Sequence, residues 1–74
     1  MVRVVVDISD GALGALRLDA ARFSGEMRLA AAVKWYELQV VSQSVAAEIA
    51  GLSRAEFIAA LARFHVSPFY RSES

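Results

Sequence analysis

The stretch from Gln43 to Leu61, Q-S-V-A-A-E-I-A-G-L-S-R-A-E-F-I-A-A-L, constrains the fold more than any other, because it reads as two short helices joined by one tight turn. Two helices crossing at roughly 90–120° approach closely, so the first must offer a small side chain where the second passes over it. Ala47 is that residue. Gly51 falls where the first helix must stop and the chain must turn with φ > 0, a conformation that suits glycine and strains a β-branched residue. Leu52 then points back inward. Ser53-x-x-Glu56 is a capping box that starts the second helix, with each side chain bonded to the other residue's amide. Phe57 and Leu61 follow at i+4 spacing, and with Ala46, Ala47, Ala50 and Leu52 they supply the apolar surface of one small core. This is the pattern of a helix-turn-helix. An alanine-rich helical hairpin ending in a glycine cap would share most of it.

The flanking segments predict the rest of the architecture. Val2, Val4, Val6 and Ile8 alternate with Arg3, Val5 and Asp7, the period of a half-buried strand over residues 2–8. From Asp10 to Leu18 the apolar spacing is helical, but Gly11 and Gly14 limit it to a short turn of helix. Asp19 is an N-cap for a long helix over about 20–40, with a weak point at Ser24-Gly25. Its stripe of Leu29, Val33, Tyr36 and Val40 is widened towards a second face by Met27, Ala31, Trp35 and Leu38. One face should cover the helix-turn-helix, placed at about 43–64. The second carries Trp35, which is either a dimer seam or a core residue of the single chain. His65 to Tyr70 reads as an edge strand restricted by Pro68, with the N-terminal strand as its mate. The expected fold is therefore mainly α with a small β component: a three-helix, helix-turn-helix core plus short N- and C-terminal strands, one domain over residues 1–74. Arg71 to Ser74 reads as a polar, frayed end.

Size and charge narrow the functional classes. A domain of 74 residues buries only about 60% of the surface its unfolded chain exposes. With no cysteine and a single histidine, His65, neither disulfides nor a structural metal can reinforce it. Its 57% apolar content exceeds the roughly 45–50% of ordinary chains, which points to surface buried in a homodimer. Val2, Val4, Trp35 and Phe69 are the expected interface residues. No apolar run is long enough to span a membrane, and Asp7 interrupts what would be the core of a signal peptide, so the expected location is cytoplasmic. Eight basic and eight acidic residues leave no net charge, so any contact with nucleic acid must rest on a few cations gathered on one face.

If the second helix of the motif enters a major groove, Ser53, Arg54, Ala55, Ile58, Ala59 and Ala62 face outward. Arg54 suits a guanine edge or a phosphate, Ser53 either, and Ala55 or Ile58 a thymine methyl. Gln43 and Ser44, at the start of the first helix, suit phosphate oxygens, helped by free amides. The competing reading of Arg54 is a solvated arginine beside Glu56, and Arg63 reads as a surface cation favoured by the helix dipole. Paired N-terminal strands would instead offer Arg3, Val5 and Asp7 to a groove, an arrangement that Asp7 facing phosphates argues against. No residues are placed for catalysis, no glycine spacing cradles a phosphate, and no cofactor or metal is expected, so the chain reads as a non-enzyme.

The segments A-V-K-W-Y-E at Ala32 to Glu37, A-A-E-I-A-G-L-S-R-A-E-F at Ala46 to Phe57 and H-V-S-P-F at His65 to Phe69 resemble a family of small prokaryotic proteins, uncharacterised protein family zero-one-seven-five. The resemblance implies an antitoxin-like helix-turn-helix protein of a toxin–antitoxin pair, regulating its own transcription and neutralising a nuclease related to the PIN domain by direct binding. Such proteins continue past the proline into an acidic segment, whereas this sequence reads Y-R-S-E-S from Tyr70. A toxin is therefore expected on the apolar long helix or a strand edge. The alternative is a protein-interaction module that keeps the helix-turn-helix shape and never touches DNA.

Overall fold

A computed structural model describes residues 1–69, and the regular elements among them are all helices: α1 (Asp10–Leu16), α2 (Ala20–Glu37), α3 (Gln43–Ala50) and α4 (Arg54–Leu61), the last continued by a 3₁₀ turn over Ala62–Phe64. Each start is set by a local side chain. Ser9, Asp19, Ser42 and Ser53 sit extended at the N-caps of α1 to α4 and accept from the amides of Ala12, Arg22, Val45 and Glu56. The expected capping box is complete, with the Ser53 amide donating to Glu56 Oε1 at 2.8 Å and the Glu56 amide to Ser53 Oγ at 3.1 Å.

Helix ends are equally local. Gly51 has φ +74°, and the Leu52 and Gly51 amides donate back to the Ala47 and Glu48 carbonyls in a Schellman closure. The same closure recurs with left-handed, non-glycine residues: Arg17 after α1, Gln39 after α2 and His65 after the 3₁₀ turn, with φ of 57°, 64° and 57°. The long helix thus stops at Glu37, before the expected Val40, because Gln39 reverses the chain. It passes through Ser24-Gly25 without a break.

One core joins α2, α3 and α4. It contains Leu29, Ala32 and Val33 of α2, Ala46, Ala47 and Ala50 of α3, and Phe57 and Leu61 of α4. The buried residues of α3 are all alanines, with Ile49 packed partly buried beside them, which lets the helix backbone lie close against α2 and leaves Phe57 and Leu61 as the large, fully buried side chains. Tyr36 meets Phe57 edge to face, ring centres 5.8 Å apart. α1 buries no residue. It is a seven-residue helix, as short as its glycines required.

The expected β component is absent among the described residues, which corrects the mixed fold read from the sequence. Residues 2–8 have the alternation of a strand but no mate among the described residues. The segment meant to pair with them is held elsewhere. His65 is left-handed, the Pro68 carbonyl accepts from the Tyr36 hydroxyl at 2.9 Å and from Gln43 Nε2 at 3.1 Å, and Ser67 Oγ accepts the Phe69 amide. Residues 65–69 are thereby tied to α2 and α3 instead of forming the edge strand expected over 65–70. Tyr70 and the polar end from Arg71 to Ser74 lie outside the described residues.

Candidate nucleic-acid interface

The first residues of α3 and α4 meet. Arg54 Nε donates to Gln43 Oε1 at 2.8 Å, and Gln43 Nε2 donates onward to the Pro68 carbonyl and, at 3.3 Å, to the Tyr36 hydroxyl. Both polar ends of the Gln43 amide are thus committed, and its orientation fixes the guanidinium. The terminal amino groups of Arg54 have no partner among the described residues and remain exposed. The start of α4, where Arg54 is the first residue, carries a partial positive charge of about half a unit. The arrangement is suited to hold an anionic oxygen or the acceptor edge of a base.

Glu56 does not neutralise it. Its carboxylate is taken by the Ser53 amide and then by the Ser53 hydroxyl, which hold it below the ordinary glutamate pKa against a small opposing effect of desolvation. The solvated Arg54–Glu56 pair considered from the sequence does not form. Ser53 serves as a cap, its Oγ accepting the Glu56 amide. Ser44 is exposed, its Oγ 3.4 Å from Ser42 Oγ. Ala55, Ile58, Ala59 and Ala62 are exposed along α4, so the outward face beyond Arg54 is short and apolar.

The other cations are spread and largely employed. Lys34 pairs with Glu37 at 3.1 Å on the surface of α2. Arg63 pairs with Glu26 at 2.9 Å, tying the 3₁₀ turn to α2 as it lies over the Phe64 ring. Arg28, which sequence reasoning passed over, reaches from α2 to the far end of α3: its Nε donates to the Ile49 carbonyl at 2.7 Å and its Nη2 to Glu48 at 3.4 Å. It caps α3 across a separation that leaves no local signal. Tyr36 was legible as an apolar stripe residue but not as the hydroxyl that anchors Pro68. Ser42, one place before Gln43 and three before the apolar run that opens at Val45, was available to the N-cap rule.

The residues expected at an interface are exposed in the single chain. Trp35 lies off the buried stripe of α2 and is 44% exposed, so it is no core residue here. Val2, Val4 and Phe69 are open as well. Among the described residues, no helix is long and apolar enough to cross a membrane, and no three His, Cys, Asp or Glu side chains gather as metal ligands.

Fold and site together define a small helical protein built around an α3–turn–α4 unit in which Arg54, at the start of α4, is buttressed by Gln43, at the start of α3. The family model described as Uncharacterised protein family (UPF0175) matches residues 1–74, and the chain belongs to that family. Comparison with curated proteins and with solved structures gives no match.

Proposed function

We propose that the protein is the antitoxin of a toxin–antitoxin pair and represses its own operon by binding DNA through the α3–turn–α4 unit. The observation that carries the DNA half of this reading is the Gln43–Arg54 contact, which presents at the start of α4 a guanidinium whose terminal amino groups have no partner among the described residues. Arg54 reads or clamps the groove and Gln43 fixes its direction. Ser44 adds a hydroxyl donor to phosphate beside the Ser53-capped start of α4, and Ala55 and Ile58 supply apolar contact. A homodimer places two such ends about 34 Å apart, one turn of duplex. The toxin half rests on the family resemblance, with a nuclease related to the PIN domain docking on the apolar face of α2 around Trp35 and Leu38.

A second reading, an interaction module that binds only protein, is favoured by the zero net charge and by exposed Trp35, Leu38 and Val40. A gel-shift titration against DNA from upstream of the protein's own gene, with unrelated DNA as competitor, separates the two. Specific retention lost in Arg54→Ala and weakened in Gln43→Ala supports the repressor. Absence of retention at micromolar protein refutes it and leaves the interaction module.

A further inference from the structure

The N-terminal segment is the part of the molecule that the described chain does not use. Met1 to Ile8 makes no hydrogen bond to any described residue, so a row of backbone donors and acceptors is unpaired. Its valines are open: Val2 is 90% exposed, Val4 79%, Val5 76% and Val6 51%, with Ile8 half-buried. Exposure falls along the even-numbered residues towards Ile8, where the segment flanks an open groove shared with Leu13, Phe23 and Met27. These five β-branched residues, Val2, Val4, Val5, Val6 and Ile8, have no strand mate among the described residues and offer an edge to another strand.

The charges within the segment say which strand. In V-R-V-V-V-D-I, Arg3 and Asp7 stand two residues either side of Val5. An antiparallel pair of these segments, with a two-fold axis through Val5, sets Arg3 of each copy opposite Asp7 of the other and Val5 opposite itself. Val2 then faces Ile8, and Val4 faces Val6, on the opposite side. Both cross-strand ion pairs form and every apolar residue meets an apolar one. Moving the axis to Val4 sets Arg3 against Val5, and moving it to Val6 sets Asp7 against Val5. A one-residue slip puts charged residues among the valines. Parallel pairing brings each charge beside its own kind.

We infer that residues 2–8 pair with the same residues of a second copy as an antiparallel ribbon centred on Val5, so that a homodimer supplies a strand partner that the described residues lack. The interface is isologous, as a closed dimer requires, and the Arg3–Asp7 pairs fix its register. It deepens the dimer in the proposed function and needs no DNA to form.

Sedimentation equilibrium without DNA tests it. The wild-type chain is a dimer at high micromolar concentration. Arg3→Asp opposes carboxylate to carboxylate in both halves, and Asp7→Arg opposes cation to cation, so either variant alone associates at least about tenfold more weakly. Mixed in equal amounts they restore the dimer as a heterodimer, since each supplies the charge the other lacks. Helical circular dichroism is retained throughout, because these residues contribute nothing to the core. V5C, in a chain with no other cysteine, cross-links to itself on mild oxidation. A monomeric wild type, single variants as dimeric as wild type, a mixture that stays monomeric, or V5C that does not cross-link would each overturn the pairing. Failure here with specific gel retention intact condemns the ribbon alone, and the reverse result condemns the DNA reading alone.

Discussion

Replacing Gly51 by alanine should destabilise the protein by about 2 kcal/mol, from two separable sources. At φ +74° a Cβ raises the backbone energy by about 1–2 kcal/mol. The same Cβ would stand 3.2 Å from Arg28 Nη2 and 3.3 Å from Cζ and Nη1. The guanidinium must then withdraw by a few tenths of an ångström, weakening its hold on the Ile49 and Glu48 carbonyls at a cost of about 0.5–1 kcal/mol. For a chain of 74 residues a loss of this size lowers the melting temperature by roughly 10 °C. Thermal and urea unfolding followed by circular dichroism, with Gly51→Ala, Arg28→Ala and the double variant, reads both parts. In the Arg28→Ala background the glycine substitution should become cheaper by the Arg28 share. Strict additivity within about 0.3 kcal/mol would refute the contact, and a loss for Gly51→Ala below about 0.5 kcal/mol would refute the backbone argument as well.

His65 is exposed and left-handed at φ 57°, so His65→Gly should raise stability by about 1 kcal/mol, a rise of roughly 4–8 °C in the same melts. Glu56 is held below its ordinary pKa by the capping box, so its contribution is complete above the unfolded-state value near 4.3 and is lost as pH falls through the lower folded value. Melting temperature should therefore decline on acidification more steeply in the wild type than in Glu56→Gln; parallel profiles would show the carboxylate to be idle. Tyr36→Phe removes the hydroxyl that holds Pro68 and steadies Gln43. It should cost about 1 kcal/mol and weaken any specific DNA retention without abolishing it, whereas Arg54→Ala abolishes it.

What could be read from the sequence follows the range of the forces involved. Ser53, Glu56, Gly51 and Asp19 act within four residues of themselves, and each appears in the structure where its spacing placed it. The buried stripe of Leu29, Val33, Ala46, Ala47, Phe57 and Leu61 was legible for the same reason, since helical periodicity is local. The strands read over 2–8 and 65–70 are absent among the described residues, because alternation describes what residues 2–8 can do and pairing needs a second segment. His65 to Phe69 had a better use for its backbone, in the hydrogen bonds of Pro68 to Tyr36 and Gln43. At the site, Gln43 and Arg54 could each be proposed from position alone, but their contact across eleven residues could not. Arg28 left no trace at all, since its target lies more than twenty residues away.

Neutrality shapes how such a protein would bind DNA. Arg28, Lys34 and Arg63 are spent on a helix end and on two carboxylates, so the proposed contact has one well-placed cation per subunit, Arg54, and two in a dimer. Each phosphate neutralised contributes about −0.9 to the slope of log K against log salt, so the dimer should show a slope near about −2 where basic repressors with six to ten contacts show far steeper ones. Affinity must then come from what is held still: Gln43 keeps the guanidinium aimed, and dimerisation makes the second contact intramolecular. Binding titrated over a salt series tests this directly. A slope of about −5 or steeper would mean that Arg17, Arg22 or other cations carry the contact, and would displace the Gln43–Arg54 pair from the centre of the interface.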